Sequence, residues 1–153
     1  MDELFPLLKW LHVVGAAAAV AIVVWGDVLF QRVVLTGETG AVATLGAAIR
    51  RRIWVEALIV ELTVALGLAA ALTGGFDLLA PWLLIAYGLV VVITVLAIRL
   101  GAVEFTSIIE AAERGDRDSM LQTARSPRRV AYLVTQAALF AAVIGVMVTK
   151  PLS

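Results

Sequence analysis

Four long apolar runs alternate with polar segments along the chain. Each run is close to the roughly 20 residues that an α-helix needs to cross the hydrocarbon core of a bilayer. The pattern therefore predicts an all-α, polytopic membrane protein, with one integral membrane domain over residues 1–153 that forms a bundle of four transmembrane helices. The predicted helices cover about 6–30, 53–72, 81–99 with an extension to about 114, and 129–149.

The segments between the apolar runs differ in character. Residues 36–46 are rich in glycine and threonine and predict a loop, with the next helix beginning within 41–49. Residues 73–80 predict a short turn, which makes the second and third helices antiparallel neighbours. Residues 114–128 are polar and predict a solvated loop, or else a contact for a cytoplasmic partner.

Several charged residues stand at the ends of the predicted helices. We expect Asp27 to be an interfacial acid that water or Arg32 can reach. Arg52 and Glu56, four residues apart, can pair at the membrane surface. After Arg99 the third helix continues as an amphipathic cytoplasmic extension. In this extension apolar residues alternate with acidic ones. The apolar residues are Val103, Ile108, Ile109 and Ala112, and the acidic residues are Glu104, Glu110 and Glu113.

Composition and charge set the environment and the orientation. The chain is 62% hydrophobic with a mean hydropathy of +1.01, which is more apolar residue than a soluble domain of this length ordinarily contains. Apart from Lys9 and Lys150, every basic residue lies between the first and second apolar runs or between the third and fourth. By the positive-inside rule both of these loops are cytoplasmic and both termini lie outside (N-out/C-out). The predicted location is the bacterial inner (cytoplasmic) membrane.

The composition also excludes several classes of function. The chain has no cysteine, which rules out disulfides, thiolate metal sites and covalent c-type haem attachment. The N-terminal MDELFP is acidic where a signal peptide would be basic, so none is expected. Nothing basic and aromatic points to a nucleic acid partner. No phosphate loop, dinucleotide fingerprint or Ser-His-Asp arrangement supports an enzyme assignment.

His12, the only histidine, lies in the first apolar run with Lys9 three residues before it. Helix rise places His12 about 9 Å and Tyr87 about 8 Å from the outer ends of their helices, and Met147 lies near the outer end of the fourth. These residues predict an outer polar layer. His12 could be the axial ligand of haem b or a related macrocycle, or a copper ligand, with Met147 as a second ligand. Alternatively, His12 is a neutral ring hydrogen-bonded to Tyr87 or to a backbone carbonyl. In that interpretation the Lys9 side chain extends to the membrane interface, and Met147 packs among apolar side chains.

An inner polar layer is predicted from Glu61, Thr135 and Gln136, which share one depth near the bilayer centre. A carboxylate there must be paired, hydrogen-bonded or protonated, because lipid offers no compensation. One interpretation is that Glu61 handles protons or cations. The other is that Glu61 bonds to Gln136 or Thr135 and joins two helices.

Small residues and a faint repeat complete the pattern. Pairs of small residues four positions apart predict close helix packing, at Gly15/Ala19, Gly67/Ala71 and Ala141/Gly145.

A shift of the sequence by 75 residues aligns Pro6 with Pro81 and His12 with Tyr87. Two matches are slight support for a duplicated hairpin.

The stretch LLKWLHVVG, Leu7–Gly15, resembles the first helix of a loose group of small bacterial four-helix membrane proteins. The group includes copper-resistance-D-like domains, related uncharacterised families and the haem-binding membrane protoporphyrinogen oxidases, which share a Lys-x-x-His start. The resemblance implies that His12 binds haem with Lys9 as its lysine neighbour. It covers helix 1 and the four-span layout. The chain lacks the further intramembrane lysine expected in the oxidase branch, and Ala16–Ala19 replace the aromatic and glycine pattern after the histidine.

Three functional hypotheses follow. The first is a haem-binding electron-transfer or accessory subunit that uses His12. The second is a cofactor-free scaffold or subunit of a larger complex, and the third is a proton-coupled small transporter that uses Glu61. The expected partners are the lipid bilayer and either further copies of the chain or other membrane subunits.

Overall fold

A computed structural model describes residues 4–150, which are helical and contain no strand. The helices are α1 (Leu4–Leu35), α2 (Thr39–Thr73), α3 (Pro81–Glu113), α4 (Arg117–Ala124) and α5 (Pro127–Thr149). Within the described residues, α1, α2, α3 and α5 are long and apolar enough to span a membrane. This confirms the prediction of a helical, multi-pass membrane protein with four spans.

Local sequence signals explain where the helices begin. Pro81 and Pro127 occupy first-turn positions of α3 and α5, where the missing N–H costs nothing. The hydroxyl of Ser126 accepts a bond from the N–H of Arg129 at 3.1 Å and caps α5. The carboxylate of Asp116 caps α4 by accepting from the N–H of Ser119 at 3.0 Å.

The prediction of a solvated loop over 114–128 is wrong for most of its length. Residues 117–124 form α4, and its inner face carries Met120, Leu121 and Ala124 into the core. The first two helices are also longer than predicted, because α1 continues to Leu35 and α2 begins at Thr39. The turn between them depends on Gly37, whose φ of 79° favours glycine.

The helices pair as two hairpins. The most extensive contacts run between α1 and α2 in the first hairpin and between α3 and α5 in the second. We call the end that carries residues 32–52 and 114–129 the arginine-rich end, and the other the terminal end. An apolar cluster joins the hairpins at the arginine-rich end, with members Phe30, Val34, Val42, Ile108, Ile109, Ala111, Ala112, Met120, Leu121 and Ala124.

Aromatic residues join the hairpins at the terminal end. The rings of Phe5 and Phe76 lie 6.0 Å apart between centroids, and Phe76 packs edge-on against Trp82 at 5.8 Å. The Lys150 ammonium lies 4.4 Å from the Phe76 ring centroid, a favourable position for a cation over an aromatic face. Lys150 therefore has an intramolecular partner at this end.

The second hairpin repeats the first at an offset of 75 to 78 residues. Both long first helices contain a π-helical turn, Ala21–Trp25 in α1 and Ala97–Gly101 in α3. Both are followed by a left-handed glycine, Gly37 and Gly115. The rings of Phe30 and Phe105, 75 positions apart, contact each other at 4.8 Å between centroids. The two hairpins therefore share these local features at similar spacings. They differ in that α2 is continuous, whereas Ser126 and Pro127 separate α4 from α5.

Candidate functional site

His12 lies in the interface between α1 and α2. Its Nδ1 is 2.8 Å from the backbone carbonyl oxygen of Thr63. Because a carbonyl only accepts, the bond requires a proton on Nδ1. In the neutral ring the lone pair is then on Nε2. Within residues 4–150 Nε2 has no hydrogen-bond partner, and it is not among the fully buried unpaired atoms.

Glycines allow the two helices to approach closely around this bond. A Cβ atom added to Gly67 would lie 2.6 Å from Cε1 of His12, so the imidazole occupies the space of a missing side chain. One added to Gly15 would lie 2.6 Å from the Thr63 hydroxyl, which donates to the carbonyl of Ile59 at 2.7 Å. The predicted packing roles of Gly15 and Gly67 are confirmed. At Gly145 the prediction is wrong for the single chain, because no heavy atom lies within 4 Å of the added Cβ.

The other members of the predicted outer layer lie in different surroundings. Lys9 is exposed on α1. Tyr87 is 37% exposed on α3 and makes no hydrogen bond to His12, whose Nδ1 is bonded to Thr63 instead. Met147 packs in the second hairpin against a cluster that includes Trp82.

The predicted inner layer is divided between two helix faces. Glu61 is exposed on α2, Thr135 is exposed on α5, and Gln136 is buried on α5. No hydrogen bond joins Glu61 to either of them in the described part of the chain. Thr63 faces α1, and two residues along a helix correspond to a rotation of about 200°. The side of α2 that carries Glu61 therefore points away from α1.

A buried polar cluster that the sequence does not predict joins the hairpins near the arginine-rich end. Arg129 is 0% exposed and donates through Nη2 to Oδ1 of Asp27 at 3.2 Å. Its Nε lies 3.5 Å from Oε1 of Gln31, whose amide donates to the carbonyl of Ala124 at 2.6 Å. The guanidinium also lies 5.4 Å from the ring centroid of Tyr132. Side chains of α1 and α5 and the backbone of α4 meet at this cluster.

Glu104 on α3 is a buried acid close to this cluster. It is 6% exposed, and its Oε1 lies 3.5 Å from Nε of the exposed Arg128. Its Oε2 and the Nη1 of Arg129 are buried without a hydrogen-bond partner in the part of the chain that the structure describes. Buried charges are costly unless they are paired. This cluster therefore adds buried polar contacts between the hairpins to the apolar cluster at the same end and to the exposed pair of Arg50 and Glu113, whose Nη1 and Oε1 lie 3.3 Å apart.

The structure adds a partner for one of these residues and contradicts the prediction for the other. Asp27, with its side chain 22% exposed, pairs with Arg129, a contact that the sequence does not predict. Glu104 is buried while Val103 is 54% exposed, because Glu104 precedes the core residue Ile108 by four positions and shares its helix face. That spacing is the signal in the sequence that could have placed Glu104 inside.

The predicted pair of Arg52 and Glu56 is confirmed, with Nη2 and Oε1 3.3 Å apart. Both residues line a groove of about 130 Å³ between α1 and α2, together with Ile22, Val55 and Ile59. This volume is below the roughly 300–1,000 Å³ typical of small-molecule pockets. The groove is therefore too small to enclose a macrocycle.

Within residues 4–150 no group of three or more His, Cys, Asp or Glu side chains could hold a metal ion. A scan against family models, a search of curated proteins and a search of solved structures each found no match. What can be inferred about function therefore comes from the sites themselves.

Proposed function

We propose that the protein binds a haem-like macrocycle through His12 and serves as an electron-transfer or accessory subunit in a membrane. The observation that carries the proposal is the bond from Nδ1–H of His12 to the Thr63 carbonyl. Histidines that bind metals commonly donate the other ring N–H to a carbonyl or carboxylate, which fixes the tautomer and the ring orientation. His12 is held in this way, and its Nε2 is left as the ligand atom.

The residues present fit a haem-like group held by one side chain of this chain. Nε2 of His12 would bind the iron, and any second protein ligand would have to come from another type of side chain or from another subunit. Lys9, exposed one turn before His12, is placed to pair with a propionate. The bound group would supply one-electron redox chemistry. The chain's own contribution would be to orient the imidazole, through the bond to the Thr63 carbonyl and the contact with Gly67 of α2.

The membrane location belongs to the same proposal. The positive-inside rule places the arginine-rich end in the cytoplasm and the terminal end, which is nearer to His12, on the outer side of the cytoplasmic membrane. The cofactor would then lie towards the outer face. The last part of α3, beyond Arg99, would lie on the cytoplasmic side.

An absorption spectrum of the protein purified in mild detergent, oxidised and then reduced with dithionite, tests the proposal. We expect a Soret band that is lost in His12→Ala and retained in Tyr87→Phe, the matched change at the equivalent position of the second hairpin. Met147→Leu tests whether Met147 is a second ligand, since the band shifts if Met147 binds the iron and is unchanged if it does not. A featureless spectrum from folded wild-type protein would refute the proposal, and His12 would then be an interhelical contact only.

A cofactor-free subunit is the second candidate function. It is supported by Glu61, an acidic side chain on the exposed side of α2. No residue in the described part of the chain forms an ion pair with it. A polar group on an outward face of a membrane helix is typical of a surface that contacts another helix.

A further inference from the structure

Helix α2 has two opposite faces over its membrane-spanning part. One packs on α1 through Thr63 and Gly67. The other is exposed along its whole length and consists of Trp54, Ala57, Leu58, Glu61, Ala65, Leu68 and Leu72. We call these seven residues the outward face of α2. Glu61 is its one polar member.

Glu61 lies near the middle of the span. It is nine residues beyond Arg52 and twelve before Thr73, the last residue of α2. These separations correspond to about 13 Å and 18 Å along the helix axis, in a hydrocarbon core about 30 Å thick. A carboxyl group at this depth is costly when it faces lipid. The outward face therefore requires a partner that can bond to the carboxyl.

We propose that the outward face of α2 is a dimer interface, docked by α2 of a second copy with the two Glu61 carboxyls hydrogen-bonded to each other. A twofold axis places identical residues opposite one another. A protonated carboxyl both donates and accepts, so two of them are complementary without any further polar residue. An unlike partner would need its own polar group at this depth, whereas a second copy supplies one by symmetry.

The residues around Glu61 also allow close approach. Ala57 and Ala65 stand one turn before and one turn after it, and both are exposed. Small residues at a crossing point let two membrane helices come close enough for interhelical hydrogen bonds. The interface lies on the side of α2 away from His12, so it is independent of the haem proposal and each can fail without the other.

The absence of cysteine makes a cross-linking test direct, because a single introduced cysteine has no native competitor. We choose Ala65→Cys on the outward face. Its matched control is Ala141→Cys, the exposed alanine 76 positions later in the second hairpin. After oxidation in bilayers at a low protein-to-lipid ratio, we expect a disulfide-linked homodimer from Ala65→Cys and little from Ala141→Cys.

Substitutions at Glu61 then test the carboxyl pair. In the Ala65→Cys background, Glu61→Leu should lower the dimerisation constant by about five- to thirty-fold, the range expected for a polar contact between membrane helices. Glu61→Gln should retain most of it, because an amide also donates and accepts. The Gln variant keeps the test decisive if the Leu variant fails to fold.

Three results would overturn the proposal. One is equal cross-linking of Ala65→Cys and Ala141→Cys. Another is an unchanged dimerisation constant in a folded Glu61→Leu variant, or complete loss in a folded Glu61→Gln variant. The third is a cross-linked product in native membranes whose mass differs from two copies of the chain, which would assign the face to a different protein.

Discussion

The contact between Gly67 and His12 gives the sharpest test of the site geometry. In Gly67→Ala the new Cβ would lie 2.6 Å from Cε1 and 2.7 Å from Nδ1 of His12. Both distances are shorter than real Cβ contacts allow. The ring can yield only by moving away from α2, which breaks its bond to the Thr63 carbonyl.

The expected magnitude follows from three contributions. Overpacking costs about 1–3 kcal/mol, and an interhelical hydrogen bond in a membrane protein contributes about 0.6 kcal/mol on average. The higher helix propensity of alanine offsets up to about 1 kcal/mol of this loss in the free energy of unfolding. We therefore expect Gly67→Ala to lower the free energy of unfolding by about 1–3 kcal/mol.

The assay is reversible unfolding in mixed micelles, carried out as a double-mutant cycle with His12→Ala. Removing the imidazole removes the clash, so Gly67→Ala should be close to neutral in the His12→Ala background. The expected coupling energy is at least about 1 kcal/mol, within the range for residues in contact. Gly145→Ala is the matched control, because nothing lies within 4 Å of its added Cβ, and it should be neutral or slightly stabilising.

Equal effects of Gly67→Ala in the two backgrounds would refute this account. The cost would then arise from another neighbour of Gly67, and the placement of His12 against α2 would be wrong. The same result would remove the structural basis for a fixed Nδ1–H tautomer. If Gly145→Ala were as destabilised as Gly67→Ala, the measured loss would reflect the replacement of any helical glycine and not the contact with His12.

Two further predictions concern the arginine-rich end. Arg129→Met should lower the free energy of unfolding by at most about 3–5 kcal/mol in the same assay, because it leaves the half-buried Asp27 without its partner. Adding Asp27→Leu should recover much of the loss, and additive losses would contradict the pairing. The hydrogen bonds that Ser119 donates to Asp116 lower the pKa of this carboxyl. A lowered folded-state pKa means that the contribution of Asp116 to stability is complete above the unfolded value of about 3.9 and is lost as the pH falls through the lower folded value. The protection factors of the α4 amides, which correct the exchange rates for their own pH dependence, should therefore fall at acidic pH in the wild type but not in Asp116→Asn. Equal pH profiles would exclude the cap as the cause.

The spans were predictable because their signal is local. A run of apolar residues near bilayer length predicts a membrane helix whatever its neighbours are, and Pro81 and Pro127 mark helix starts through their own chemistry. The same local rules did not reveal α4. The polar segment 114–128 predicted a solvated loop, and only the packing of Met120 and Leu121 against the core shows why a helix is stable there.

The depth of each polar residue could be predicted, but the direction in which it points could not. Helix rise placed Glu61 near the bilayer centre. In a soluble helix the apolar stripe identifies the buried face, whereas in a membrane helix the side that meets lipid is as apolar as the side that meets protein. Periodicity therefore could not tell that Thr63 faces α1 and that Glu61 faces away.

The sequence alone determined the number of spans and the presence of an ionisable pair, Lys9 and His12, in the first of them. The tertiary structure decided which polar groups meet. His12 and Thr63 are 51 residues apart and Arg129 and Asp27 are 102 apart. Such pairs depend on how far each helix is rotated about its axis, and that rotation is set by close contacts such as Gly67 against His12, which become visible only when the helices are packed together.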